Sequence, residues 1–171
     1  MSSDTERAEL PEIKTILYCT TLGPHAPYVF SYAYTLADRL GARIVALHVV
    51  ESLNRKQRTL VDRYAGEGSL STMLEKAHEE AARRLPEELK KVLSKVSGPD
   101  DWHRIVSEVV IAEGRTAQKI LEHVESHKAD LVVIGVHTES SVIDRVLGST
   151  ARSLVKGSPV PVLTVQVPSD L

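Results

Sequence analysis

Aromatic side chains are scarce in this chain: five Tyr, one Trp and one Phe among 171 residues. A core must therefore be assembled from Val, Leu, Ile and Ala. There is one cysteine, Cys19, which excludes an internal disulfide framework and fits a reducing compartment. Set within an apolar stretch, Cys19 reads as an inert core thiol. An excess of positive charge is also missing. Lys and Arg number 21 against 23 Asp and Glu, a net charge of −2, so no global field would gather nucleic acid or an anionic membrane. No apolar run approaches the roughly 18 residues a membrane span requires. Residues 1–12 are polar and acidic, lack the apolar stretch of a secretory leader, and read as a flexible tail. A soluble, cytoplasmic protein without nucleic-acid or membrane partners is expected. No His/Cys/Asp cluster has metal-ligand spacing and no nucleophile–base pair stands out, so neither a metal site nor a catalytic residue is expected.

What is present suits one domain, since a chain of this length can bury roughly 70% of its unfolded surface. Residues 13–20 form a short apolar run bounded by Gly23-Pro24, a strand pattern. Over 28–40, Val29, Tyr32, Ala33, Leu36, Ala37 and Leu40 recur at helical spacing, and Gly41 follows as a C-cap. Residues 43–50 form a second strand, almost continuously apolar, as expected of strands covered on both faces in a parallel sheet. A helix is predicted over 72–96, kinked or divided at Pro86, which lacks an amide donor. A third strand follows at 105–112, nearer a sheet edge, then a helix at 116–127. The chain closes with a strand ending at Gly135, a polar loop, Gly148-Ser149 opening a helix over 150–156, and a last strand at 161–167. His48 reads as a hydrogen-bonded structural histidine and Tyr18 as core. Residues 51–71 look irregular. They carry Arg55, Lys56, Arg58 and Arg63, and read as a solvated crossover loop, a basic lid, or a docking segment for a protein partner.

The order βαβαβαβαβ predicts a doubly wound α/β sandwich, a Rossmann-like fold with a five-stranded parallel sheet and right-handed crossovers. Ligands in such sheets lie beyond the carboxyl ends of the strands, where the strand order reverses. The first and fourth strands would be neighbours there, bringing Thr20 and Thr21 near Ile134, Gly135 and His137. The helix after Gly148 would turn its free amides, with Ser149 and Thr150, toward an anion. Ser149 either donates to a phosphate or caps that helix. His137 contacts a ligand or is an exposed loop residue, and Val49 offers main-chain groups to a base or packs in the core.

Three segments carry a family resemblance: Ala129-Asp130-Leu131-Val132-Val133-Ile134-Gly135-Val136-His137, then Leu147-Gly148-Ser149-Thr150-Ala151, then Ser158-Pro159-Val160-Pro161-Val162-Leu163-Thr164-Val165. Together, and in the order of elements over residues 13–167, the chain resembles the universal stress protein family. The resemblance implies an adenine-nucleotide α-hydrolase-like domain over 13–168 and a small dimeric stress-response protein that binds rather than turns over, although slow ATPase activity is compatible with it. Family members that bind ATP are similar in a Gly-x2-Gly-x9-Gly-Ser/Thr loop. Gly135, Gly148 and Ser149 keep that frame, but Thr138 replaces its second glycine. Thr21 stands where ATP binders carry Asp, and Glu139 where they often carry Lys or Arg. The resemblance with these departures implies weak or lost ATP binding and no required cofactor, with ATP or AMP as the ligands to consider; a nucleotide-dependent switch is the alternative.

Two further expectations concern glycine and the edge. Gly148 is read as serving a strained backbone or a close approach. The last strand, with Val160, Val162, Leu163, Val165 and Val167, should sit unprotected at the sheet edge and pair with a second copy, forming a homodimer.

Overall fold

The computed structural model describes residues 10–53, 55–66, 68–97, 102–137 and 148–168. Along the chain run β1 (Thr15–Thr20), α1 (Ala26–Leu40), β2 (Arg43–Glu51), α2 (Arg55–Ala65), α3 (Ser69–Val96), α4 (Trp102–Ile105), β3 (Val106–Gly114), α5 (Thr116–Ser126), β4 (Leu131–His137), α6 (Ser149–Gly157) and β5 (Val162–Val167). The five strands form one parallel sheet in the order β3-β2-β1-β4-β5. From β1 the chain first winds outward to β2 and β3, then returns to place β4 on the other side. The reversal falls between β1 and β4, where the sequence places it.

Alternating strand residues feed two aliphatic layers. Ile16, Tyr18, Ile44, Ala46, Leu131 and Val133 pack with Phe30 and Ala33 of α1 and Leu85, Leu89 and Leu93 of α3. Leu17, Val45, Leu47, Val132 and Ile134 pack on the other face with Ile120 and Val124 of α5 and Ala151 and Leu154 of α6. Burial on both faces is why β1, β2 and β4 read as unbroken apolar runs. Tyr18 is fully buried, stacks beside Phe30 and donates its hydroxyl to the Ala26 carbonyl at 3.0 Å. Gly41 takes the left-handed conformation at the end of α1, φ 66°, with the Ala42 amide bonded back to the Ala37 carbonyl.

Three expectations are corrected. Residues 51–71 are not a plain loop: α2 fills most of the segment and α3 begins at Ser69. No described residue of α2 is buried, Leu60 and Tyr64 are exposed, and its apolar residues, Leu60, Val61, Tyr64 and Ala65, are confined to its second half, too short a stretch for periodicity to reveal the helix. Its Arg, Lys and Gln are nonetheless good helix formers. Pro86 does not divide α3, which runs unbroken through it. The carbonyl deprived of a donor belongs to Ala82, an exposed residue open to water, while Leu85 and Leu89 anchor both flanking turns. Finally, β5 is an edge strand, but Val165 and Val167 face inward and are buried in this chain's own core. A lysine at Val165 would disrupt the monomer before it reported on any dimer. What β5 leaves open is its outer main-chain edge.

Candidate functional site

A cavity of about 650 Å³ lies over the carboxyl ends of β1, β2 and β4, within the size range of small-ligand sites. Of the residues expected at a ligand, it brings together Thr20, Thr21, Val49, Ile134, Gly135, Gly148, Ser149 and Thr150. The side chain of His137 and all of 138–147, with Thr138 and Glu139, lie outside the described residues. The cavity wall also includes residues that the sequence reading did not place there: His25 and Val29 at the start of α1, His48 and Glu51 on β2, and Thr116 at the start of α5. The one signal for them was position, since each sits at the carboxyl end of a strand or in the first turn of a helix after one.

The loop leaving β1 is held by side chains from several elements. Leu22 adopts φ 57°, a conformation that a branched L-residue reaches only when its surroundings enforce it. Its amide donates to Thr20 Oγ1 at 3.1 Å, and its carbonyl accepts from Arg84 of α3 at 3.2 Å. Arg84 is itself paired with Glu88 at 2.8 Å. The Thr20 carbonyl accepts from His48 Nδ1 at 2.8 Å. His48 therefore has the hydrogen bond expected of it, but on the cavity wall rather than in the core. Cys19 also lines the cavity. Burial pushes its thiol well above the ordinary range, which keeps it protonated and poorly nucleophilic.

The opposite wall is the start of α6. Gly148, not Ser149, is the N-cap: its carbonyl accepts the Arg152 amide at 3.0 Å, and Ser149 is the first helical residue. No described side chain caps this end. The first-turn amides thus keep their partial positive charge toward the cavity, where Ser149 and Thr150 lie. Gly148 shows no strain. It has φ −56° and ψ 162°, which any residue adopts, and a Cβ there would meet no atom of the described residues within 4 Å. The expectation that its backbone demands glycine is corrected. Gly135 is the opposite case, since a Cβ on it would lie 2.8 Å from Val29 Cγ2.

A model of the universal stress protein family matches residues 12–166. The chain belongs to the universal stress protein family. It is 30% identical to a universal stress protein of Thermus aquaticus over 90% of this chain and 98% of that protein. A universal stress protein of Methanocaldococcus jannaschii is 23% identical over 90% of this chain and 94% of its own length. Among solved structures, that of the same archaeal protein shares the fold with a TM-score of 0.67, covering 93% of this chain and 99% of that one. A universal stress protein in complex with cAMP, 18% identical, has a TM-score of 0.56 over 92% of this chain and 100% of that one.

Within this universal stress protein domain the charge at the cavity is unusual for a triphosphate site. Among the described lining residues, Glu51 is the one acidic side chain, and neither Lys nor Arg contributes. Residues 138–147, outside the described residues, include Glu139, Asp144 and Arg145 in sequence. Among the described residues no group of three or more His, Cys, Asp or Glu could hold a metal ion, and no helix is long and apolar enough to cross a membrane.

Proposed function

We propose that this family member acts by binding rather than turnover, as a cytoplasmic homodimer supporting survival under stress, and that its cavity holds ATP weakly or not at all. The observation that carries the reading is the cavity's charge: a helix start that no described side chain caps faces it, but no described cationic side chain does. A helix terminus offers about half an elementary charge, too little to offset a triphosphate beside Glu51. A ligand with less charge, such as AMP, suits the same place better. The solved relative in complex with cAMP supports an adenine nucleotide of low charge as the ligand class.

The loop supplies the test. Thr138→Gly together with Glu139→Arg restores the glycine and the positive charge that ATP-binding relatives carry, and should tighten ATP binding by about 1–3 kcal/mol. Calorimetric titration of both proteins with ATP and Mg²⁺ measures this. Equal, tight binding by the unaltered protein would establish the rival reading, a nucleotide-dependent switch, which the open amides of α6 favour.

The homodimer would form through the main-chain edge of β5. Val132 donates to the Pro161 carbonyl at 3.0 Å, so alternate residues of β5 bond to β4, while Val162, Thr164 and Gln166 turn their main-chain groups outward. Proline on an edge strand is tolerated where its missing N–H would have faced solvent. Gln166→Pro is therefore expected to leave the fold intact and shift the protein from dimer to monomer. Light scattering together with a melting curve tests it. A Gln166→Pro protein that stays dimeric would place the interface elsewhere.

A further inference from the structure

We infer that His48 reads the ligand in this cavity, with its Nε2 as a fixed hydrogen-bond acceptor for a neutral hydroxyl or amino group, the sugar or base end of a nucleoside. The inference rests on the adenine-nucleotide reading of the cavity and specifies which part of the ligand meets which wall. A carbonyl oxygen only accepts, so the bond from His48 Nδ1 to Thr20 at 2.8 Å places the ring proton on Nδ1. In the neutral imidazole Nε2 then holds a lone pair. No described residue is hydrogen bonded to Nε2, and no buried side-chain nitrogen or oxygen among the described residues lacks a partner. Nε2 is thus unsealed, on a half-buried ring that lines the cavity.

The neighbours decide what that lone pair selects. An ionised phosphate offers acceptors only and gains nothing from Nε2, whereas a hydroxyl or amino group donates to it. Glu51, on the same strand, adds a second acceptor to this wall, so both charge and hydrogen-bonding character repel phosphate here and favour donors. The anion-attracting start of α6 follows β4, two strands from β2, about 10 Å at ordinary strand spacing. A nucleoside monophosphate lying across β1 would place its donor-rich end at His48 and its phosphate at Ser149. His48 would also supply an acceptor where Thr21 lacks the carboxylate that ATP-binding relatives carry nearby.

The test uses the full chain with ¹⁵N-labelled histidine and adenosine as probe. In the free protein the His48 ring should show a protonated Nδ1 and a bare Nε2. Adding adenosine should shift the Nε2 resonance, and His48→Phe should weaken adenosine binding about tenfold, the loss of one hydrogen bond. A proton found on Nε2 in the free, neutral ring overturns the inference whether or not the variant folds. So does adenosine that shifts the Gly135 and Ser149 amides while leaving Nε2 and the affinity of His48→Phe unchanged. Adenosine that moves no cavity resonance overturns instead the nucleotide reading on which the inference stands, and the inference falls with it.

Discussion

Gly135→Ala is expected to destabilise the protein by about 1–3 kcal/mol, although the residue lies at the mouth of a cavity and not in the deep core. The added Cβ would stand 2.8 Å from Val29 Cγ2. Val29 is 5% exposed, and its branched side chain is locked among β1, α1 and β4 residues, so it has little freedom to move aside. Relief must come from the neighbour. Val29→Ala alone should destabilise by a comparable amount through lost packing, but combined with Gly135→Ala the two effects should be markedly less than additive. Urea unfolding of the four proteins measures the coupling. Strict additivity would show that β4 and α1 do not need this glycine to approach. The first glycine of the loop motif thus has a structural role that would persist without any nucleotide.

Asp130→Ala should cost about 2–3 kcal/mol. The Asp130 carboxylate accepts the amides of Lys14 at 2.8 Å and Thr15 at 2.9 Å, and its own amide donates to the Thr15 carbonyl at 2.8 Å. These bonds join the start of β1 to the turn before β4, the two central strands. Removing the side chain leaves two main-chain donors without their partner, Thr15 half-buried and Lys14 exposed. Asp130→Asn keeps an acceptor oxygen without its charge and should lose about half as much. Equilibrium unfolding with an unchanged denaturant slope gives the comparison. An Asp130→Ala protein as stable as the unaltered one would mean that water replaces the carboxylate without loss. Asp130 belongs to the first of the three segments that carry the family resemblance, yet it fastens the sheet at the end away from the cavity.

The architecture was legible because two rules act together. Continuous apolar strands alternating with periodic helices specify a parallel sheet, and right-handed crossovers then restrict the strand order. The β1–β4 junction follows from that, and with it Thr20, Thr21, Ile134 and Gly135 beside the cavity. Helix α2 was hidden because its apolar residues, Leu60, Val61, Tyr64 and Ala65, occupy only its second half behind a polar first half, too short a pattern for hydrophobic periodicity to register. The inward turn of Val165 was written in the alternation Leu163-Thr164-Val165-Gln166-Val167, whose polar Thr164 and Gln166 mark the other face, and counting the valines alone passed over it. The two glycines of the loop look equivalent as letters. One is required by a neighbouring valine, while a Cβ on the other would meet no described atom within 4 Å, a distinction set by how close α1 lies to β4. The role of His48 depends on a bond between neighbouring strands, Thr20 to His48, which its apolar sequence neighbours do not announce.

The central claim is that this universal stress protein keeps the nucleotide-shaped place of its family without holding a triphosphate firmly. Calorimetric titration of the unaltered protein with ATP and Mg²⁺ at neutral pH tests it most directly. The account predicts no saturation below millimolar concentration. A micromolar dissociation constant would contradict it.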